Sequence, residues 1–214
     1  MSRRAVTKRA IPQVKSPLLS FLLAHRLPEE FYRRNCAEVA RDLLGALLVR
    51  REGNEVTAGV IVEDEAYYGA TDPASHAYRG RTARNAPMFE SAGRAYIYFV
   101  YGNHFMMNVV CGDAGVPAAV LVRALEPAAG FLRMKRRRKG LPDRQLTNGP
   151  GRLAQALGIG RALNGAPLAG DDLFISAPYQ RRGSVVRAGR VGIAGKSDAA
   201  LRFYLRESRY VSRR

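Results

Sequence analysis

Two Gly-Asn pairs do most to limit what this chain can become. Gly53-Asn54, within Glu52-Gly53-Asn54-Glu55, separates Ala46 to Arg51 from Val56 to Glu65, and Gly102-Asn103, within Tyr101-Gly102-Asn103-His104, separates Ala95 to Val100 from Phe105 to Cys111. The flanking runs are rich in β-branched and aromatic residues, so each pair predicts an antiparallel hairpin. A nearly all-apolar run, Ala118 to Leu125, adds a strand, and three more are expected near Leu173, over Val185 to Ile193 and over Leu201 to Arg206. Helices are expected over Glu29 to Arg34 and over Asn35 to Leu44, the second capped by Asn35 and stopped at Gly45. Pro127 is expected to open another, ending in the Lys135 to Lys139 basic run, and Pro150 one more, through Leu157. Hairpins with helices set apart predict a single compact α+β domain on an antiparallel or mixed sheet, with the second hairpin projecting.

Charge narrows the partner. The chain of 214 residues carries 35 Lys+Arg against 18 Asp+Glu, a formal net charge of +17, far more than solubility requires. Nucleic acid is the leading partner for such a surface. An anionic membrane would call for a basic amphipathic helix or a lipidation signal, and neither is found. Cys36 and Cys111 lie far apart with no metal-ligand spacing, which suggests packing roles in a reducing compartment.

Up to Pro28 there is no acid, but Arg3, Arg4, Lys8, Arg9, Lys15 and Arg26 are present. The apolar stretch Leu18 to Ala24 runs straight into His25-Arg26-Leu27-Pro28, which is not a secretory cleavage region. The composition fits either an organelle transit peptide or a basic arm that touches phosphates. The arm, with fewer assumptions, is assigned to residues 1–17 and the folded domain to 18–214.

Chemistry concentrates in Val62 to Gly69, Val-Glu-Asp-Glu-Ala-Tyr-Tyr-Gly. In an extended chain Glu63, Glu65 and Tyr67 share one face and Asp64 and Ala66 take the other, so a carboxylate and a stacking ring could line one pocket. An edge strand solubilised by acids accounts for the same letters. Tyr96 and Tyr98 likewise share a face, while Tyr101 falls at the hairpin tip, either folded back or projecting as a wedge into a base stack. The loop Asp72 to Asn85 contains His76, which has no partner at metal-ligand spacing, and Arg79, Arg81 and Arg84, suited to phosphates or to a merely solvated face. Asn148-Gly149-Pro150-Gly151 lacks the Gly-Lys-Ser/Thr of a nucleotide loop and reads as a helix start.

Taken together, Val62 to Tyr67, Asp-Pro-Ala-Ser-His at Asp72 to His76, Arg-Thr-Ala-Arg-Asn at Arg81 to Asn85, Met88-Phe89, Ala95 to Gly102, Met107-Asn108-Val109, Leu121 to Pro127, Asn148 to Pro150 and Leu201 to Tyr204 resemble the alkyladenine (3-methyladenine, N-methylpurine) DNA glycosylase family, from about Phe31 onward. The resemblance implies a monofunctional enzyme of base excision repair that flips a damaged purine (3-methyladenine, 7-methylguanine, hypoxanthine or ethenoadenine) out of double-stranded DNA and hydrolyses its N-glycosidic bond. Glu65 then matches the catalytic acid residue that activates water, with Arg123 and the Val191 backbone carbonyl holding that water. Tyr67, His76 and Tyr98 match the walls of the base pocket, Asn108 the group that crowds guanine's exocyclic amine, and Tyr101 the intercalating residue. No metal or organic cofactor is implied, and a monomer is expected. So is a location with the DNA, in bacterial cytoplasm or a eukaryotic nucleus.

Two alternatives belong to other classes. A non-catalytic nucleic-acid binding protein could use the same basic faces and tyrosines, but would leave Glu65 facing an anionic ligand without purpose. A glycan hydrolase would need paired carboxylates across its substrate and has no use for the charge.

Overall fold

The computed structural model describes residues 17–177, 183–193 and 199–214. The basic arm assigned to 1–17 lies, apart from Pro17, outside the described residues. Three helices lead, α1 (Pro17–Ala24), α2 (Glu29–Tyr32) and α3 (Cys36–Leu43). Asn35 caps α3, its side-chain oxygen accepting from the Ala37 N–H at 3.0 Å. Strands β1 (Leu47–Glu52) and β2 (Glu55–Tyr68) form the first hairpin, β3 (Ala95–Val100) and β4 (His104–Cys111) the second, and β5 (Ala118–Ala129) follows. Then come α4 (Phe131–Arg137), α5 (Pro150–Leu157), β6 (Leu173–Ser176), β7 (Val185–Ala188) and β8 (Arg202–Leu205).

All described strands join one sheet, in the order β3-β4-β5-β2-β1-β6, and every pairing is antiparallel. The sheet branches at β2. Its first half pairs with β1, and at Glu63 to Glu65 that edge passes to β8, which also pairs with β7, while β5 runs along the other edge. Register shifts in the β2–β5 ladder between Ile61 and Asp64 curl the sheet where the carboxylates lie. The result is the expected α+β domain with a projecting hairpin.

Alternation along the strands separates two faces. Ala95, Ile97, Met107, Val109, Val120, Val122 and Val62 enter the main core, onto which α3 and α5 pack. Tyr96, Val110 and Ala119 point the other way and, with Ala77 and Met88, form a small cluster under the opposite face. The period of two thus commits residues 63, 65, 67, 96, 98, 108, 121 and 123 to the face away from the helices.

Two boundaries differ most from expectation. The helix expected to open at Pro127 starts at Phe131, because β5 runs on to Ala129 with Pro127 opposite Gly59, beside a register shift where its missing N–H disrupts no regular ladder. The chain leaves the strand at Gly130, whose φ of +73° suits glycine and where a Cβ would lie 2.5 Å from the Val56 carbonyl oxygen. The strand expected over Val185 to Ile193 ends at Ala188, and the turn after it carries Val191 to the site.

Candidate active site

Glu65 lies at the centre of the helix-free face and is completely buried. One carboxylate oxygen accepts the Val191 backbone N–H at 2.7 Å; the other accepts the Tyr67 hydroxyl at 2.8 Å and Arg123 Nη1 at 3.2 Å. A carboxylate has about four lone-pair acceptor positions, so among the described residues these three donors leave one. All three donor residues border an open cavity of about 500 Å3, together with His76, Tyr96, Tyr98, Tyr101, Asn108 and others. Burial and the neighbouring Glu65 raise the Tyr67 hydroxyl far above the ordinary phenol range, so it stays protonated and donates to Glu65.

The aromatic walls are held from outside the cavity. Tyr98 packs edge-on to His76, ring centroids 4.5 Å apart, and burial pushes its hydroxyl up to about 12. His76 Nδ1 lies 2.9 Å from the Tyr96 hydroxyl. Burial, reinforced by the charge of Arg84, lowers the His76 pKa, which favours a neutral ring at physiological pH. The Tyr96 hydroxyl can donate to Nδ1 of the neutral ring, and in that tautomer Nε2 carries the proton as a hydrogen-bond donor. The loop carrying His76 is far from structureless. Asn85 is buried, donates to the His76 and Gly80 carbonyls at 2.8 and 3.0 Å and accepts from the Thr82 N–H. Asp72 accepts from the backbone N–H groups of Tyr68 and Ala74.

Asn108 is 5% exposed and donates to the Tyr96 carbonyl at 3.0 Å, which fixes its amide plane at the cavity wall. Tyr101 is 83% exposed at the hairpin tip and adopts φ of +55°, a conformation uncommon for an aromatic residue. It projects rather than folding back. Arg79 and Arg81 are exposed on the His76 loop. Arg84, also exposed, is tied to the hairpin: its guanidinium carbon lies 5.1 Å from the Tyr98 ring centroid and Nη2 donates to the Phe99 carbonyl. The structure therefore brings Tyr67, His76, Tyr98, Asn108, Arg123 and Val191 around one cavity with Tyr101 at its rim, sets Glu65 directly behind Tyr67, Arg123 and Val191, and leaves Arg79 and Arg81 outside.

Sequence reasoning did not single out Tyr96 as a site residue, although its parity with Tyr98 was visible. Arg190, which stacks behind Tyr67, and the segment around Ser212 gave no local signal. Among the described residues no group of three or more His, Cys, Asp or Glu side chains could hold a metal ion.

Comparison with known proteins settles the family. A family model described as methylpurine-DNA glycosylase matches residues 30–209. The chain belongs to the methylpurine-DNA glycosylase family. It is 50% identical over 192 residues to a protein of Methanoculleus marisnigri and 46% identical over 191 residues to one of Carboxydothermus hydrogenoformans, each alignment covering 88% of this chain and 99% of the relative. A Bacillus licheniformis protein is 43% identical over 191 residues, 87% of this chain and 96% of the relative. All three carry the name "Putative 3-methyladenine DNA glycosylase". Membership makes the chain a DNA N-glycosylase, a hydrolase whose substrate is DNA, and removes the binding-only and glycan-hydrolase alternatives. For a methylpurine-DNA glycosylase, a buried carboxylate beside an aromatic cavity is the place to look for bond cleavage.

Proposed function

We propose that this methylpurine-DNA glycosylase removes alkylated and deaminated purines, among them 3-methyladenine, 7-methylguanine, hypoxanthine and ethenoadenine, by flipping the nucleotide into the cavity and attacking its anomeric carbon with a water that Glu65 activates. The observation that carries this reading is the donor set of Glu65, which among the described residues leaves one acceptor position for a water beside Arg123 and Val191. Arg123 and the Val191 carbonyl orient that water. Glu65 takes its proton as the hydroxide oxygen bonds to C1′, and the base departs with the glycosidic electron pair. The developing positive charge on the sugar is stabilised by the nearby carboxylate.

Tyr67, His76 and Tyr98 supply the walls between which the base stacks, and a cationic base gains cation–π attraction there that an ordinary one does not. A cationic base is also a good leaving group. A neutral one, such as hypoxanthine, gains from hydrogen bonds such as the His76 Nε2–H can offer. Tyr101 fills the gap in the duplex, and Arg79 and Arg81 contact backbone phosphates. The described residues lining the cavity include no lysine, so Schiff-base chemistry and strand cleavage are not expected. The enzyme acts as a monomer.

The test is a duplex carrying a single hypoxanthine or ethenoadenine, incubated with enzyme and cleaved with alkali at abasic sites. Wild type yields a cut at the lesion; Glu65→Gln binds the duplex but excises at least about a hundredfold more slowly. Excision by Glu65→Gln within a few fold of wild type would remove Glu65 from the mechanism.

A further inference from the structure

Glu63 lies on the same face as Glu65 and is likewise completely buried. Three separate segments converge on it. Arg123 Nε and Arg202 Nη1 each donate to its Oε1 at 3.1 Å, and the Ser212 backbone N–H donates to its Oε2 at 2.5 Å. The same segments are laced to one another: Arg123 Nη2 donates to the Ser212 hydroxyl at 3.3 Å, and Arg202 Nη1 to the Arg213 carbonyl at 2.6 Å. Arg202 Nε donates to the Gly189 carbonyl at 2.8 Å, at the entry to the turn that carries Val191.

Glu63 is therefore linked to two of the three donors to Glu65. It holds Arg123 directly and the Val191 turn through Arg202. The guanidinium of Arg123 is planar and rigid, so fixing Nε on Glu63 fixes the direction in which Nη1 meets Glu65. The family match ends at residue 209, so Ser212 and Arg213 stand outside it.

We propose that Glu63 and the backbone of Ser212 form a positioning clamp for the catalytic centre. Ser212 fixes Glu63, Glu63 fixes Arg123 and Arg202, and those two arginines set the donors around Glu65. The inference rests on the reading of Glu65 as the group that activates water. None of the clamp's own groups borders the cavity, whereas Arg123 does, so the clamp governs the chemical step and leaves lesion binding alone.

The experiment compares Glu63→Gln, Ser212→Pro, which deletes the N–H, and Ser212→Ala, which keeps it. Single-turnover excision of hypoxanthine, Kd for the same duplex and the thermal midpoint are measured for each. Because misplacing a reacting group by an ångström can cost up to about a hundredfold, Glu63→Gln and Ser212→Pro are expected to slow excision about 10- to 100-fold with Kd within about twofold, and Ser212→Ala to stay within about threefold. Unchanged rates in the first two, losses in Kd that match the losses in rate, or equal damage from alanine and proline would each overturn the clamp. If Ser212→Pro melts well below wild type, Glu63→Gln decides. Glu65→Gln, run alongside, separates the two readings: excision surviving in it sinks both, whereas excision lost in it but kept in the clamp variants sinks the clamp alone.

Discussion

Arg190 lies over the Tyr67 ring, its guanidinium carbon 4.4 Å from the ring centroid, while Nη1 and Nη2 grip the two oxygens of Asp72 at 2.6 and 2.8 Å. Nη1 also donates to the Ala66 carbonyl at 3.0 Å, in the strand that carries Tyr67. Tyr67 thus offers one face to the cavity and has the other backed by an ion pair whose side chains are 1% and 4% exposed. Burial alone would raise the Asp72 carboxyl, but hydrogen bonds from Arg190 overcome it and hold the group below its usual range.

Breaking that pair strands a buried cation. Asp72→Asn should destabilise the fold by about 3 kcal/mol, the scale for removing one partner of a buried pair, and slow excision as the Tyr67 wall loosens. Urea unfolding with parallel excision assays checks both, and a variant as stable as wild type would mean that the pair contributes nothing net.

Tyr101→Ala tests the wedge. Stacking on a base contributes about 1–3 kcal/mol, so binding to a duplex with an abasic analogue should weaken about 10- to 100-fold, while plain duplex, held by phosphate contacts, changes by less than about threefold. Titration of the two duplexes decides, since equal losses would make Tyr101 ordinary surface. Its positive φ supports a functional role, because a strained aromatic at an exposed tip is retained only where something requires it.

Asn108→Ser tests discrimination. Shortening a side chain whose amide is pinned to the Tyr96 carbonyl opens room for an exocyclic amine, so excision of mispaired guanine should rise relative to hypoxanthine by about tenfold. The ratio of single-turnover rates is the measurement. A fall in both with the ratio unchanged would make Asn108 a packing residue.

Asp64 points into the core from β2, completely buried, with no hydrogen-bond partner among the described residues for either carboxyl oxygen. Burial, and after it the Cys36 thiol and the two flanking glutamates, raise its pKa well above the usual range. The folded state therefore keeps a proton that the unfolded chain releases above about pH 4. Stability from this group is complete below that pH and declines as pH rises towards the folded value, by up to about 1.4 kcal/mol per unit. Asp64→Asn, which cannot ionise, should match wild type near pH 4 and exceed it at pH 7 in urea unfolding. Parallel curves for the two proteins across that range would refute the account.

How much of this was legible in the sequence depended on distance along the chain. The two Gly-Asn hairpins, the Asn35 cap and the alternation that turned Glu63, Glu65 and Tyr67 to one side rest on neighbouring residues, and they stand in the structure. Pro127 misled because a proline that starts a helix and one at an irregular strand position leave the same local trace; only the pairing with Gly59 tells them apart. Arg190, Arg202 and Ser212 could not be found at all by such reasoning, since their meaning lies in carboxylates more than a hundred residues away. The cysteines read as merely distant in sequence flank the same buried region: burial raises the Cys111 thiol, as does a hydrogen bond with Cys36.

The handover of β2 from β1 to β8 has a consequence for how the enzyme comes into being. The carboxylate strand can pair with β1 and fold its first hairpin early, yet Glu63 to Glu65 gain their second neighbour only when β8 arrives, and Glu63 meets Ser212 across 149 residues of chain. Contacts that span so much sequence form late and slowly. During synthesis the hairpin that carries Tyr98, Tyr101 and Asn108 emerges well before β8 and Ser212 do. The carboxylate-bearing stretch of β2 is therefore among the last parts of the sheet to gain its full set of hydrogen bonds.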